Sequence, residues 1–203
     1  MNEKYGVSEV QATVSKLKKN TVQVYFGIDA TKLDTYDVKS LIDKNGLKFD
    51  RIVFNFPHAG FPRAQDGNAA GPDAVTKSQV QLVDDFLESC KSLLKDREES
   101  QVIITQNTCF PFKNWNVVGT AKNAGYKLVS KVPFNISQFP GYQNRRGFGP
   151  NAAKSFDCST AETYSFCLER RDSTIQLEDL SKDLQSMKDE LFGCSTCSPI
   201  YTR

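Results

Sequence analysis

An amide, a proline and the only histidine of the chain stand together in the stretch Asn55-Phe56-Pro57-His58. The Asn55 amide can donate and accept hydrogen bonds, and the ring of Pro57 fixes the local backbone. His58 can take up or release a proton, because the ordinary histidine pKa is about 6.5. The stretch could therefore hold a polar ring and move a proton. The alternative is that Asn55 caps the next turn and that His58 is a solvated loop residue.

A second group of candidate residues lies in the glycine-rich, basic segment 139–149. Arg145 and Arg146 carry guanidinium groups that suit phosphates, and Tyr142 offers a stacking face for an unpaired base beside the amide of Asn144. These residue types predict RNA contact, against the alternative of a surface loop that pairs with acidic helices. Trp115 could line the pocket that takes up the bound base, but a tryptophan at a helix start is more often part of the core.

Asp29 and Ala30 directly follow a β-rich run, the position at which open α/β sheets place ligands. Formation of a turn or a helix cap by Asp29-Ala30-Thr31 is the alternative. Cys194 and Cys197 have the spacing of half a zinc site, but a structural zinc needs four ligands and the sequence offers no second pair nearby. We therefore expect no metal and interpret the end of the chain as an exposed tail.

The composition is that of an ordinary globular domain. With 203 residues, 39% hydrophobic and 25% charged, the chain can bury a sizeable core, and a net charge of +2 does not by itself identify a partner. No apolar run approaches the roughly 20 residues that span a bilayer, and the first residues are too polar for a signal peptide. We expect an intracellular protein with its six cysteines reduced.

The hydrophobic pattern alternates between strands and helices, which predicts an α/β fold with a mainly parallel sheet. We divide the chain into a domain over 1–170 and a C-terminal helix and tail over 171–203. The predicted strands are 21–26, 50–56, 101–105, 126–134 and 162–169, the last of them antiparallel in the edge region. The predicted helices are 2–18, 35–45, 75–94, 115–124 and 174–192.

Five blocks of this sequence occur in the order that is seen in the large-subunit ribosomal RNA uridine-N3 methyltransferase-like domain. They are residues 49–60, 115–116, 132–134, 140–147 and 159–166. The resemblance covers roughly residues 2–168. It implies a Rossmann-like fold, S-adenosylmethionine as cofactor, and methylation of a uridine ring nitrogen in ribosomal RNA.

The same resemblance implies roles for the candidate residues. Asn55 and Pro57 would position the target nitrogen and His58 would accept its proton. Asp29 and Ala30 would contact the adenine of the cofactor, and residues of 139–149 together with Trp115 would bind the RNA. The implied partner is ribosomal RNA rather than DNA or a membrane, with the nucleolus or cytoplasm as location and a possible protein partner at the C-terminal helix.

The family pattern also has two strands and a glycine-rich loop before the point at which this sequence begins. Either the chain is a fragment, or the sheet is truncated at its N-terminal end and the strand at 22–26 pairs in parallel with 50–56 through a helix at 36–45. Because the glycine-rich loop holds the methionine end of the cofactor, we expect its affinity to be reduced. The rival hypothesis is therefore a catalytically inactive module that binds RNA or protein.

Overall fold

The computed structural model describes residues 6–35, 40, 48–60, 70–147, 151–169 and 182. Four strands form the sheet in this part of the chain: β1 (Arg51–Asn55), β2 (Gln101–Asn107), β3 (Tyr126–Pro133) and β4 (Ala161–Leu168). Their order across the sheet is β1-β2-β4-β3. The pair β1–β2 is parallel, and β4 is antiparallel to both of its neighbours.

Within the described segments, three α-helices and three short 3₁₀ helices precede or connect these strands. They are α1 (Val7–Lys19), α2 (Pro72–Cys90) and α3 (Val117–Asn123), with 3₁₀ helices at Ala30–Lys32, Phe112–Trp115 and Ile136–Gln138. The predicted strands at 50–56, 101–105 and 126–134 are confirmed, and so are the helices at 75–94 and 115–124, with boundaries that differ by a few residues. The helix predicted over 2–18 is confirmed from Val7 onward. Apart from residues 35, 40 and 182, the helices predicted at 35–45 and 174–192 lie outside the described residues.

The core forms where α2 packs on the sheet. Pro72 opens this helix in its first turn, where the missing proline N–H is not needed. The helix then buries Val83, Phe86, Leu87 and Cys90 in one cluster with the apolar side chains of β2 and β4. The hydroxyl of Tyr126 on β3 donates to the carbonyl of Leu87 at 2.8 Å, so the helix is also held to the sheet by a buried hydrogen bond.

The predicted pairing of residues 22–26 with the strand at 50–56 is wrong. Within the described part of the chain, this segment pairs with no strand, and the side chains of Val22, Tyr25 and Phe26 are exposed. A β-rich composition favours a strand only where a neighbouring strand and a buried face are available to it. In the solvent, water can satisfy the backbone of this segment instead.

The sheet is also less parallel than the sequence suggested. Only one of its three pairings is parallel, because β4 lies between β2 and β3 and runs against both. The strand predicted at 162–169 and its antiparallel direction are confirmed, but its place in the edge region was wrong. β4 carries the fully buried Phe166, whereas every residue of β3 after Tyr126 is exposed, so β3 is the strand that tolerates the edge.

Among the helices of the described segments, none is long and apolar enough to cross a membrane.

Candidate functional site

The loop that follows β1 begins with a strained residue. Asn55 pairs with Thr105 as the last residue of the strand, and the next amide, that of Phe56, donates to the Thr105 carbonyl at 2.7 Å. Phe56 has a φ of 52°, a left-handed conformation that is rare for a bulky side chain. Its ring packs edge-on against Phe134 and Phe156, with centroids 5.4 and 5.0 Å away. Such strain persists only where the surroundings hold it, and it is typical of functional loops.

Gln79 of α2 fixes the backbone of this loop. Its Nε2 donates to the carbonyl of Pro57 at 2.9 Å, and its Oε1 accepts from the N–H of Ala59 at 2.8 Å. The side chain is 1% exposed, so both bonds are largely shielded from water. Gln79 is not among the residues predicted from the sequence. Its signal was a single amide in line with the apolar stripe, four residues before Val83.

His58 lies next in the loop and packs against Trp115, with ring centroids 5.6 Å apart. The N–H of Gly60 donates to its Nδ1 at 2.8 Å, so the neutral ring carries its proton on Nε2. Burial of the ring lowers the pKa of His58 below the ordinary histidine value, although part of the residue stays exposed. The neutral form of His58 is therefore favoured over the charged form relative to a free histidine.

Trp115 is positioned by a change of helix type. It ends the 3₁₀ helix Phe112–Trp115, and Asn116 then takes a left-handed φ of 44° and caps α3 by accepting from the N–H of Gly119 at 3.2 Å. The tryptophan is 2% exposed, yet its indole N–H has no hydrogen-bond partner in the described structure. The side chain is thus both a core residue and a wall of the cavity described next.

A cavity of about 460 Å³ lies at the carboxyl ends of β1 and β2. It brings together seven of the ten candidate residues of the sequence analysis: Asn55, Pro57, His58, Trp115, Tyr142, Arg145 and Arg146. The other seven lining residues were not predicted as site residues from the sequence; they are Phe56, Gln106, Asn107, Cys109, Phe112, Phe156 and Asp157. Gln106 and Asn107 could have been found, because polar residues that follow a buried parallel strand lie where such sheets bind ligands.

The basic segment reaches the cavity through contacts with residues 151–157. Asn144 is buried, and its Nδ2 donates to the carbonyl of Phe156 at 2.6 Å, so it holds the segment and does not line the cavity. Arg145 donates to the Ala153 carbonyl and, at 3.3 Å, to the carboxylate of Glu9 in α1. Arg146 is exposed, with its Nε 3.4 Å from the carbonyl of Ser155.

Two further side chains complete the wall on this side. Tyr142 is 41% exposed, so its ring is accessible for stacking. Asp157 accepts hydrogen bonds from the N–H and the hydroxyl of Ser159, and these bonds lower the pKa of its carboxyl group. The cavity is therefore lined by two guanidinium groups, one carboxylate and an exposed aromatic ring, together with the apolar rings of Phe56, Phe112 and Phe156.

Asp29 and Ala30 lie apart from this cavity. The carboxylate of Asp29 accepts from the N–H and the hydroxyl of Thr31, at 2.9 and 2.7 Å, and these bonds lower its pKa. The carbonyl of Ala30 accepts from Ser89 at 3.1 Å, ten residues along α2 from Gln79. Ten helical residues span about 15 Å, so the structure does not bring Asp29 and Ala30 together with Asn55 and His58.

A mixed sheet packed with helices and a polar cavity at the strand ends define an α/β domain with a candidate ligand-binding site. A family model described as "rRNA (uridine-N3-)-methyltransferase BTM5-like" matches residues 1–146, and the chain belongs to this BMT5-like family.

Three relatives show how far the similarity extends. "Uncharacterized protein At4g26485" of Arabidopsis thaliana is 37% identical over 134 residues, which are 61% of this chain and 60% of that protein. "Heavy metal-associated isoprenylated plant protein 41" of the same plant is 29% identical over 162 residues, 80% of this chain and 29% of that protein. "Ferredoxin-fold anticodon-binding domain-containing protein 1 homolog" of Mus musculus is 29% identical over 139 residues, 64% of this chain and 20% of that protein. The chain thus spans less than two thirds of the length of each relative.

Proposed function

We propose that this chain binds a uridine of ribosomal RNA and positions its ring nitrogen N3 for methylation, with S-adenosylmethionine as the methyl donor. The proposal is supported by the family to which the chain belongs and by one structural observation. Asn55, Pro57 and His58 line the same cavity as Trp115 and the two arginines, although these groups come from distant parts of the sequence. A role on ribosomal RNA would place the protein in the nucleolus or the cytoplasm.

In this proposal each residue has a separate task. The Asn55 amide nitrogen donates to a ring carbonyl beside the target nitrogen and so positions it, and the loop that carries Asn55 is held by the Gln79 bond to Pro57. His58 takes the N3 proton on Nδ1, for which the Gly60 N–H must first turn away. Arg145 and Arg146 contact phosphates, and Tyr142 stacks on a neighbouring base. Because positioning carries most of such a reaction, the largest effects are expected at Asn55.

The described residues do not form an evident site for S-adenosylmethionine. A carboxylate oxygen of Asp29 accepts a hydrogen bond from Thr31 in an exposed turn. The carbonyl of Ala30 accepts a hydrogen bond from Ser89, which lies about 15 Å along α2 from the residue that holds the cavity loop, Gln79. Neither Asp29 nor Ala30 lines the cavity. The second candidate function is an RNA-binding module of the methyltransferase family that does not itself transfer a methyl group, since Tyr142 and the two arginines at the cavity suit RNA with or without a methyl donor.

The test combines a binding and an activity measurement on the full chain. We expect the wild-type chain to incorporate methyl groups into a ribosomal RNA fragment. Asn55→Ala should abolish this activity, whereas Gln81→Ala, on the surface of α2, should leave it unchanged. Methylation by Asn55→Ala at the wild-type rate would remove the loop from the mechanism. Calorimetry with S-adenosylmethionine separates the two candidates, because RNA binding without any heat from the cofactor at millimolar concentration supports the inactive module.

A further inference from the structure

A row of four aromatic rings runs along one side of the cavity and beyond it. The row begins at Phe56 in the cavity wall, whose ring lies edge-on against Phe134 with centroids 5.4 Å apart. Phe139 stacks on Phe134 with centroids 5.6 Å apart and an interplanar angle of 15°. Tyr142, which lines the cavity again, is the last ring, 6.5 Å from Phe139. Phe134 and Phe139 do not line the cavity themselves, so the row continues its aromatic lining onto the outer surface.

Local backbone hydrogen bonds hold Phe139 in this row. The 3₁₀ helix Ile136–Gln138 turns the chain back after β3, and the N–H of Phe139 donates to the carbonyl of Ile136 at 3.1 Å. The N–H of Tyr142 then donates to the carbonyl of Phe139 at 2.9 Å, and Gly141 between them takes a left-handed φ of 84°, which glycine adopts without strain. The ring is therefore placed before any ligand binds, which lowers the entropy cost of binding.

The outer part of the row is open to solvent and lies beside positive charge. Phe139 is 51% exposed, although one side of its ring is covered by Phe134. A ring that is covered on one side and open on the other suits a second flat ring, and nucleobases stack on aromatic side chains in this way. Arg145 and Arg146 line the cavity together with Tyr142 and suit the phosphates that join such bases. An apolar protein segment would gain nothing from these two guanidinium groups, so the surroundings favour RNA as the occupant.

We infer that Phe139 stacks on a base that flanks the target nucleotide, an inference that rests on the proposed function. Tyr142 lines the cavity and is therefore nearer to the target, whereas Phe139 lies one ring further out. The planes of these two rings are inclined by 67°, so one base cannot lie flat on both. A base inside a duplex is already stacked on both of its neighbours, so Phe139 selects RNA that is single-stranded beside the target.

The test is a double-mutant cycle between the ring and the flanking bases. The full chain and its Phe139→Leu variant are titrated with two labelled RNA pentamers, and the affinities are measured by fluorescence anisotropy. Both pentamers carry a central uridine; one has adenine at every flanking position and the other has abasic nucleotides there. Because the phosphates are the same, contacts to them cancel in the comparison. Phe139→Leu is expected to weaken binding of the adenine pentamer about fivefold or more and to leave binding of the abasic pentamer unchanged.

Further variants separate stacking from charge and from the loss of any exposed ring. Phe26→Leu removes a ring that is 54% exposed in the segment 22–26, away from the cavity lining, and should leave both affinities unchanged. Phe139→Trp keeps a stacking surface and should bind the adenine pentamer at least as tightly as wild type. Phe139→Leu should not change the slope of log affinity against log salt, because that slope reports phosphate contacts.

Two results would overturn the inference while RNA binding itself stands. One is equal affinity of the wild-type chain for the two pentamers, a comparison that needs no variant. The other is a Phe139→Leu variant that binds the adenine pentamer like wild type or weakens both pentamers equally, since the ring would then meet no flanking base. Failure of the wild-type chain to bind either pentamer would refute the proposed function together with the inference. Coupling between Phe139 and the flanking bases without any methylation would leave the inference standing and refute methyl transfer by this chain.

Discussion

Replacing Gln79 tests whether one buried amide fixes the candidate catalytic loop. Gln79→Met keeps the volume of the side chain but removes the bonds to the Pro57 carbonyl and the Ala59 N–H. Because Pro57 is buried, leaving its carbonyl unpaired should lower the free energy of unfolding by about 1–3 kcal/mol. The exposed Ala59 amide can bond to water instead, so loss of its bond should cost about 1 kcal/mol. The sum is about 3 kcal/mol, which for a chain of this size lowers the melting temperature by roughly 6–12 °C.

A second variant, Gln79→Glu, should make the stability supplied by these two hydrogen bonds depend on pH. In Gln79→Glu a protonated carboxyl restores both bonds, whereas a carboxylate would face the Pro57 carbonyl. The pKa of the introduced carboxyl is therefore raised in the folded state, and the folded protein binds more protons than the unfolded one. Stability relative to wild type should be close to unchanged near pH 4 and should fall as the pH rises above about 4.3, the ordinary glutamate pKa.

The assay is urea unfolding, followed by Trp115 fluorescence and by circular dichroism, from about pH 4 to about pH 8. Comparison with wild type at each pH cancels the other titrating groups. Gln81→Met and Gln81→Glu are the matched controls, two residues further along α2 and exposed, and they should change the free energy of unfolding by at most about 0.5 kcal/mol. A Gln79→Glu variant with a pH-independent difference from wild type would refute the idea that this side chain donates to Pro57.

Two further predictions concern His58 and Arg146. Because burial lowers the pKa of His58, the unfolded chain binds more protons than the folded one just below pH 6.5. Wild type should therefore lose stability on acidification through that range, and His58→Asn should lose less. Equal slopes of the free energy of unfolding against pH, measured by urea unfolding, would contradict this. Arg146→Ala should weaken RNA binding for all sequences alike and reduce the slope of log affinity against log salt by about 0.7, the value for one single-strand phosphate contact, whereas an unchanged slope in salt titrations would show that Arg146 touches no phosphate.

The hydrophobic periodicity predicted most helices and strands, because the pattern of buried residues can be read within the sequence of each element. The apolar stripe of α2 and the apolar run of β2 each show in their own sequence which residues are buried. Residues 22–26 have equally good strand composition but no neighbour to pair with, and a composition cannot report a missing partner. The interior place of β4 was missed for the same reason, since strand order depends on which edge is left open rather than on the strand itself.

The candidate site was predictable only in part. Asn55, Pro57 and His58 could be recognised because they share one loop, and the basic segment because its residue types are distinctive. Gln79 is harder to recognise, since an isolated glutamine in line with an apolar stripe becomes informative only when its burial and its partners are known. Asn144 has the residue type of a ligand contact, but its burial against Phe156 gives it a structural contact instead.

The position of β1 sets how the loop at its end exchanges with solvent. In the described sheet β1 is bonded along one side only, to β2, so detaching it breaks a single ladder. Local opening of this kind needs less free energy than global unfolding. The amide proton of Phe56, bonded to Thr105, should therefore exchange with deuterium faster than those of β4, which is paired on both sides. Its exchange rate would measure how often β1 and its loop detach from β2, and slowing of that rate by added RNA would support RNA binding at this loop.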